Sequence, residues 1–221
     1  MDVASFIDTV RVEAGGWDRR EGLPVEVIRA AGEHGLLGAD LPPRYGGQGR
    51  TPVDLGEIAA RLGGVCSALR ALVTVQGMVA AALLRWGTGA QRDDWLPALA
   101  DGDRVAGFAA TEPGAGSDLA AVGTAFVPEG DALLVTGEKM WITFGQVADV
   151  FLVLGAENGR PATALVEADR PGVEVRPVRG QLGMRAALLA HVRFDRVRVP
   201  RSNHVAPVGV GRSHVVATAL D

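Results

Sequence analysis

The feature that most limits how this chain can fold is a change of pattern near Val105. Up to that point apolar residues recur at helical spacing between capping signals, and beyond it short β-branched and apolar runs alternate with turns. Helices first and strands second predict an α+β chain. The expected parts are an N-terminal all-α helical domain over 1–104, a β-barrel or sandwich domain over 105–206, and a linker with the start of another helix over 207–221.

Pro24 stands at a first helical position, with Val27, Ile28 and Ala31 following at helical spacing until Gly35. Residues 42–49 carry too much Pro and Gly for a regular element and predict an ordered loop. Thr51 and Pro52 restart helix, with Leu55, Ile58, Ala59 and Leu62 on one face and Gly63-Gly64 as the stop. The stretch from Ser67 to Trp86 is apolar nearly all round, which predicts a central helix. Arg70, Thr74, Gln76 and Gly77 interrupt it, so it falls short of the roughly 20 apolar residues of a bilayer span. Thr88 and Gln91 have the spacing of a capping box opening a fourth helix, which Pro97 and then Asp101-Gly102 should end.

Ala125-Phe126-Val127 and Leu133-Leu134-Val135, on either side of a Pro-Glu-Gly-Asp turn, predict a hairpin. Further strands are expected near 150–154, 162–166, 173–178 and 191–197, and a last apolar helix begins near 213–220. A formal net charge of -4 with no block of Lys or Arg leaves no footprint for nucleic acid or an anionic membrane. The single cysteine, Cys66, has no partner for a disulfide or a metal knuckle and predicts a small packed hydrophobe in a reducing cytoplasm. Early acidic residues and the lack of a long apolar run argue against a secretory leader.

Two stretches carry chemistry. In Phe108-Ala109-Ala110-Thr111-Glu112-Pro113-Gly114-Ala115-Gly116-Ser117-Asp118 the small residues after Pro113 leave backbone N–H groups unshielded, so an anion such as a pyrophosphate can approach, and Ser117 adds a hydroxyl. An ordinary glycine-rich turn explains that stretch equally well when it is taken alone. In Gly137-Glu138-Lys139-Met140-Trp141-Ile142-Thr143 strand alternation places Trp141 and Thr143 on one face, an aromatic plane beside a hydroxyl, as a flat heterocycle requires. A tryptophan of the core is the competing explanation.

Together, and in this order after a helical start, these stretches resemble the acyl-CoA dehydrogenase family. The same resemblance extends to Leu36-Leu37-Gly38, Pro43-Arg44-Tyr45-Gly46-Gly47, Gly87-Thr88 with Gln91, Leu96-Pro97, Leu182-Gly183-Met184-Arg185 and Val197-Arg198-Val199-Pro200. It implies an FAD site built from Phe108, Ala110, Thr111, Gly116, Ser117, Trp141, Ile142 and Thr143. Within that site Trp141 stacks near the isoalloxazine, Thr143 gives its hydroxyl to flavin N5, and Ser117 is shared with substrate. Glu112 is implied as a loop anchor paired with Arg185, and Asp221 as a substrate-site residue.

In this family a carboxylate removes the α-proton of an acyl thioester while the β-hydrogen leaves as hydride to the flavin. The resemblance places that carboxylate in a C-terminal four-helix domain beyond residue 221, so no catalytic base is assigned within this chain. The expected activity is that of an FAD-dependent oxidoreductase component, incomplete by itself. Its expected partners are a C-terminal helical half or homologous subunit in an oligomer, and an electron-transfer flavoprotein. Residues 67–78 resemble the subgroup acting on acyl groups held by carrier proteins, so the thioester is expected on CoA or on a carrier protein. Phe144 departs from the family's usual Asn, and residues 186–190 lack a small polar side chain often found there. A non-catalytic structural or carrier-protein-docking subunit of the same fold is the alternative.

Overall fold

The computed structural model describes residues 3–211, so the helix expected at 213–220 and the substrate-site candidate Asp221 lie outside the described residues. Among the described residues five α-helices precede seven strands: α1 Val3–Arg20, α2 Val25–Glu33, α3 Pro52–Gly63, α4 Ser67–Trp86 and α5 Gly89–Asp101. Helix α1 was not anticipated, because Gly15 and Gly16 lower its propensity. It forms because Phe6, Ile7, Val10, Ala14 and Trp17 make one buried stripe.

Pro24 is the N-cap of α2 rather than its first residue. Thr51 and Asp54 close a capping box on α3, and Thr88 and Gln91 close the expected one on α5. Pro97 does not end α5. It forgoes one backbone hydrogen bond, yet Leu99 and Ala100 beyond it are buried, and the turn at Gly102 (φ +80°) terminates the helix.

The strands are β1 Ala106–Ala109, β2 Ala125–Glu129, β3 Ala132–Ile142, β4 Val150–Glu157, β5 Arg160–Glu167, β6 Val173–Pro177 and β7 Ala190–Pro200. They form one mixed sheet, curled as a half-barrel, in the order β1-β4-β2-β3-β7-β6 with β5 on β4. Strand β4 is its hinge. Along one edge β4 pairs β5 throughout, while on the other β1 takes its first half and β2 its end, both in parallel.

Helix α4 joins the two kinds of structure. By length and apolarity it could cross a membrane, but more than half of that stretch is buried inside the fold. Its Leu69, Leu72 and Val75 pack with α1, α2 and the segment Ala186-Ala187-Leu188, and its Val79 and Leu83 pack with Val150 and Leu152 of β4. Between these two contacts lies the buried amide of Gln76. Its Nε2 donates to the carbonyls of Leu99 (3.0 Å) and Arg104 (2.7 Å), and its Oε1 accepts from Ala106 N (2.9 Å). One side chain thus fixes the end of α5 and the start of β1 on α4.

Candidate functional site

Strand β1 delivers the chain into the segment 110–118. There Glu112 and Ala115 exchange backbone hydrogen bonds (2.8 and 3.2 Å), closing a tight turn over Pro113 and Gly114. Gly114 and Gly116 are bare: a Cβ at either would meet no atom within 4 Å. The backbone of this turn is therefore open to an approaching group, as the anion-site reading requires. Ser117 is exposed, Thr111 is half-buried, and Asp118 caps the short 3-10 turn Leu119–Ala121 through Ala120 N.

The other half of the site comes from the end of β3, where regular alternation fails. The register against β7 slips between Lys139, opposite Val192, and Ile142, opposite Ala190, so that Met140 and Trp141 together face the single residue His191. Trp141 at this bulge has φ +59°, and Thr143 lies past the strand end. The shared strand face expected for Trp141 and Thr143 is thus replaced by a bulge and a turn. Trp141 is not a core residue either, since it is 53% exposed. Its ring meets His191 edge-on, with centroids 5.3 Å apart at 85°. Ile142 turns its side chain into the sheet core, and Phe108 is half-buried between the helices and the sheet.

Glu112 anchors the turn, but its cationic partner is Lys139 rather than Arg185. Lys139 Nζ, fully buried, donates to Glu112 Oε1 (2.7 Å) and to the Ala110 carbonyl (3.1 Å). Glu112 also accepts from Thr124 Oγ1 (2.6 Å), Thr124 N (3.0 Å) and Gly123 N (2.7 Å). Burial raises the Glu112 pKa, but the bonds from Lys139, Thr124 and Gly123 outweigh it and leave the carboxyl below its ordinary range. Burial also pushes Lys139 down to about 8 against the opposing pull of Glu112.

Arg185 serves elsewhere. Its N–H and Nε bind Asp18 of α1 (2.8 and 3.1 Å), and these bonds, the backbone one foremost, hold the Asp18 carboxyl below its usual range. Phe144, at the departure from the family's Asn, is buried against the helical core, and its N–H donates to the Ala187 carbonyl. Cys66 sits half-buried at the N-cap of α4 and packs on the same core.

The structure therefore brings Thr111, Gly116 and Ser117 into one segment and Trp141, Ile142 and Thr143 into a second, joined through Lys139 and through the bond from Met140 N to the Thr111 carbonyl (2.9 Å). Sequence reasoning gave Lys139 no role and passed over His191. A signal for Lys139 was present: it shares strand phase with Leu133 and Val135, and a lysine on an inward face needs an acid.

Residues 2–103 match the acyl-CoA dehydrogenase N-terminal domain and residues 107–197 the acyl-CoA dehydrogenase middle domain. The chain belongs to the acyl-CoA dehydrogenase family. It is 36% identical to a probable acyl-CoA dehydrogenase of Bacillus subtilis (strain 168), over 87% of this chain and 33% of that protein. It is 32% identical to the mitochondrial isobutyryl-CoA dehydrogenase of Dictyostelium discoideum, over 89% of this chain and 49% of that one. Among solved structures it resembles FkbI, described as serving biosynthesis of the methoxymalonyl extender unit of a polyketide immunosuppressant (37% identity, TM-score 0.93, all of this chain and 62% of that one). It also resembles a glutaryl-CoA dehydrogenase from Mycobacterium smegmatis in complex with FADH2 (32% identity, TM-score 0.93, 98% of this chain and 57% of that one). The chain thus spans between a third and a half of these two sequence relatives.

Proposed function

We propose that this chain forms the flavin-facing part of an FAD-dependent acyl thioester dehydrogenase, an oxidoreductase that desaturates its substrate between the α and β carbons. The observation that carries the reading is a half-exposed tryptophan on a strand bulge, tied to a turn whose glycine backbone is bare. A soluble core has no use for an open indole held at positive φ, whereas a planar ligand does.

In this reading Phe108, Ala110, Thr111, Gly116, Ser117, Trp141, Ile142 and Thr143 hold FAD, which supplies the acceptor for the β-hydride. The turn offers backbone N–H groups and the Ser117 hydroxyl to anionic parts of the cofactor. Trp141 covers the ring system, and Thr143 donates its hydroxyl to a ring nitrogen. Residues 1–104 act as the helical domain, 105–206 as the flavin-facing β domain and 207–221 as the link to further helices, with Asp221 near substrate. The α-proton is removed by a carboxylate outside residues 1–221, on a C-terminal helical half or a homologous subunit, and an electron-transfer flavoprotein takes the electrons onward in a cytoplasmic setting.

The resemblance of residues 67–78 to the subgroup acting on carrier-protein thioesters supports a carrier-protein thioester beside the CoA thioester as substrate. The reading is tested by flavin absorption of the purified chain, alone and mixed with a C-terminal helical half from a relative. The expected result is weak or no flavin retention alone, stoichiometric retention in the mixture, and acyl thioester turnover lost when the helical half's carboxylate becomes its amide. Absence of flavin from the mixture would make the chain a structural or docking subunit instead.

A further inference from the structure

In the sheet order β1 and β3 are not neighbours, because β4 and β2 lie between them. Backbone pairing therefore leaves the reach from the turn after β1 to the bulge at the end of β3 unspecified. Among the described residues, only the bond from Met140 N to the Thr111 carbonyl joins the two segments through main chain alone. The side-chain polar link is Lys139, whose ammonium spans the gap to the Ala110 carbonyl and the Glu112 carboxylate.

We infer that Lys139, paired with Glu112, is a positioning residue that holds the Ala110–Ser117 turn at a set distance from the Trp141 bulge, so that the two flavin-facing surfaces act as one. This rests on the flavin reading above and deepens it. Lys139 touches neither surface's exposed side; it acts through the carbonyl of Ala110 and the side chain of Glu112. Burying an ammonium is costly even when paired, and an apolar side chain of similar length would satisfy packing at that place. What an apolar side chain would lack is the pair of hydrogen bonds across the gap, so the charge is explained by the geometry it sets.

The pair also gives the device a measurable signature. Among charged groups Glu112, from the β1–β2 connection, is the one acting on the ammonium; β7 places Val192 opposite it, and Glu138, opposite Arg193, precedes it on the alternate face of β3. As the pH rises through about 8, Lys139 loses its proton and its charge-assisted hold on Glu112. Without the Glu112 charge the buried ammonium is favoured less, so the same step falls at lower pH.

Hydrogen–deuterium exchange of the 221-residue chain, corrected for intrinsic rates, tests the inference. In Lys139→Met, amides of residues 110–118 and 140–143 should exchange about 10- to 100-fold faster, as loss of a charge-assisted hydrogen bond allows, while β4 and β5 stay protected. In the wild type that exchange should rise in a step near pH 8; Glu112→Gln should move the step to lower pH and Lys139→Met should lack it. Unchanged exchange at 110–118, or exchange raised equally throughout, overturns the inference. If Lys139→Met fails to fold, the pH step in Glu112→Gln decides. A parallel FAD titration with the helical half added separates the two levels: no uptake by wild type sinks the functional reading, whereas equal affinity of wild type and Lys139→Met sinks the positioning role alone.

Discussion

Two buried polar knots bracket β1, one neutral and one charged. At the strand's start the amide of Gln76 takes up Ala106 N–H and the carbonyls of Leu99 in α5 and of Arg104 between α5 and β1. Just past its finish the Lys139 ammonium takes up the Ala110 carbonyl and the Glu112 carboxylate. A fully bonded amide is buried at small net cost, and its bonds do not change with pH. An ion pair is dearer to bury and titrates. The first knot joins strand to helix inside the core, and the second governs a turn at the edge of the open surface, so the charge lies where reach toward a ligand is set.

The comparison supposes that both knots belong to one cooperative unit, and the strongest perturbation checks this. Leu83 of α4 is fully buried in the cluster that includes Val150 and Leu152 of β4. Leu83→Ala should cost about 2–5 kcal/mol, from lost transfer energy plus the cavity left behind. Chemical denaturation should still give a single transition by tryptophan fluorescence and far-ultraviolet circular dichroism alike. Two separated transitions would split helices from sheet and break the comparison at its base.

Next in size is the neutral knot. Gln76→Leu keeps much of the volume but strands the Leu99 and Arg104 carbonyls and Ala106 N–H, so a loss of roughly 2 kcal/mol or more is expected. That loss should be the same at pH 5 and pH 9, and a loss that varied between them would tie the knot to a titrating group. For the charged knot, Glu112→Gln should cost about 1–3 kcal/mol near pH 7. The folded-state pKa of Glu112 is depressed, so its contribution is full above the ordinary glutamate value of roughly 4.3 and is lost as pH falls through the lower folded value. Denaturation midpoints of wild type and variant should therefore converge in acid. A gap that persisted there would mean that the carboxylate's charge contributes nothing.

Helix-then-strand order was legible because its signals are local: Thr88 and Gln91 lie three residues apart and cap whichever helix follows. The partner of Glu112 was not, since Arg185 and Lys139 are both cations and only the curl of the sheet decides which one arrives. Pro97 misled because breaking is a local tendency that burial of Leu99 and Ala100 overrides. The bulge at Trp141 was illegible for a related reason. Alternation along β3 reads out one strand, whereas the slip of register is a property of β3 against β7.

The smallest expected stability effect is at that bulge, and it separates ligand chemistry from fold chemistry most cleanly. Trp141 is half exposed, makes its ring contact with His191, and sits at positive φ, a conformation costing about 1–2 kcal/mol for an L-residue. Trp141→Ala removes the ring contact but keeps the same backbone demand, so the change in folding free energy should stay within about 1 kcal/mol. In the complex with a C-terminal helical half the same substitution should weaken flavin binding by roughly 1–3 kcal/mol, the range for loss of aromatic stacking on a base. A variant that lost several kcal/mol of stability yet bound flavin unchanged would return Trp141 to the core, and the open surface beyond Lys139 would then have no aromatic wall to position.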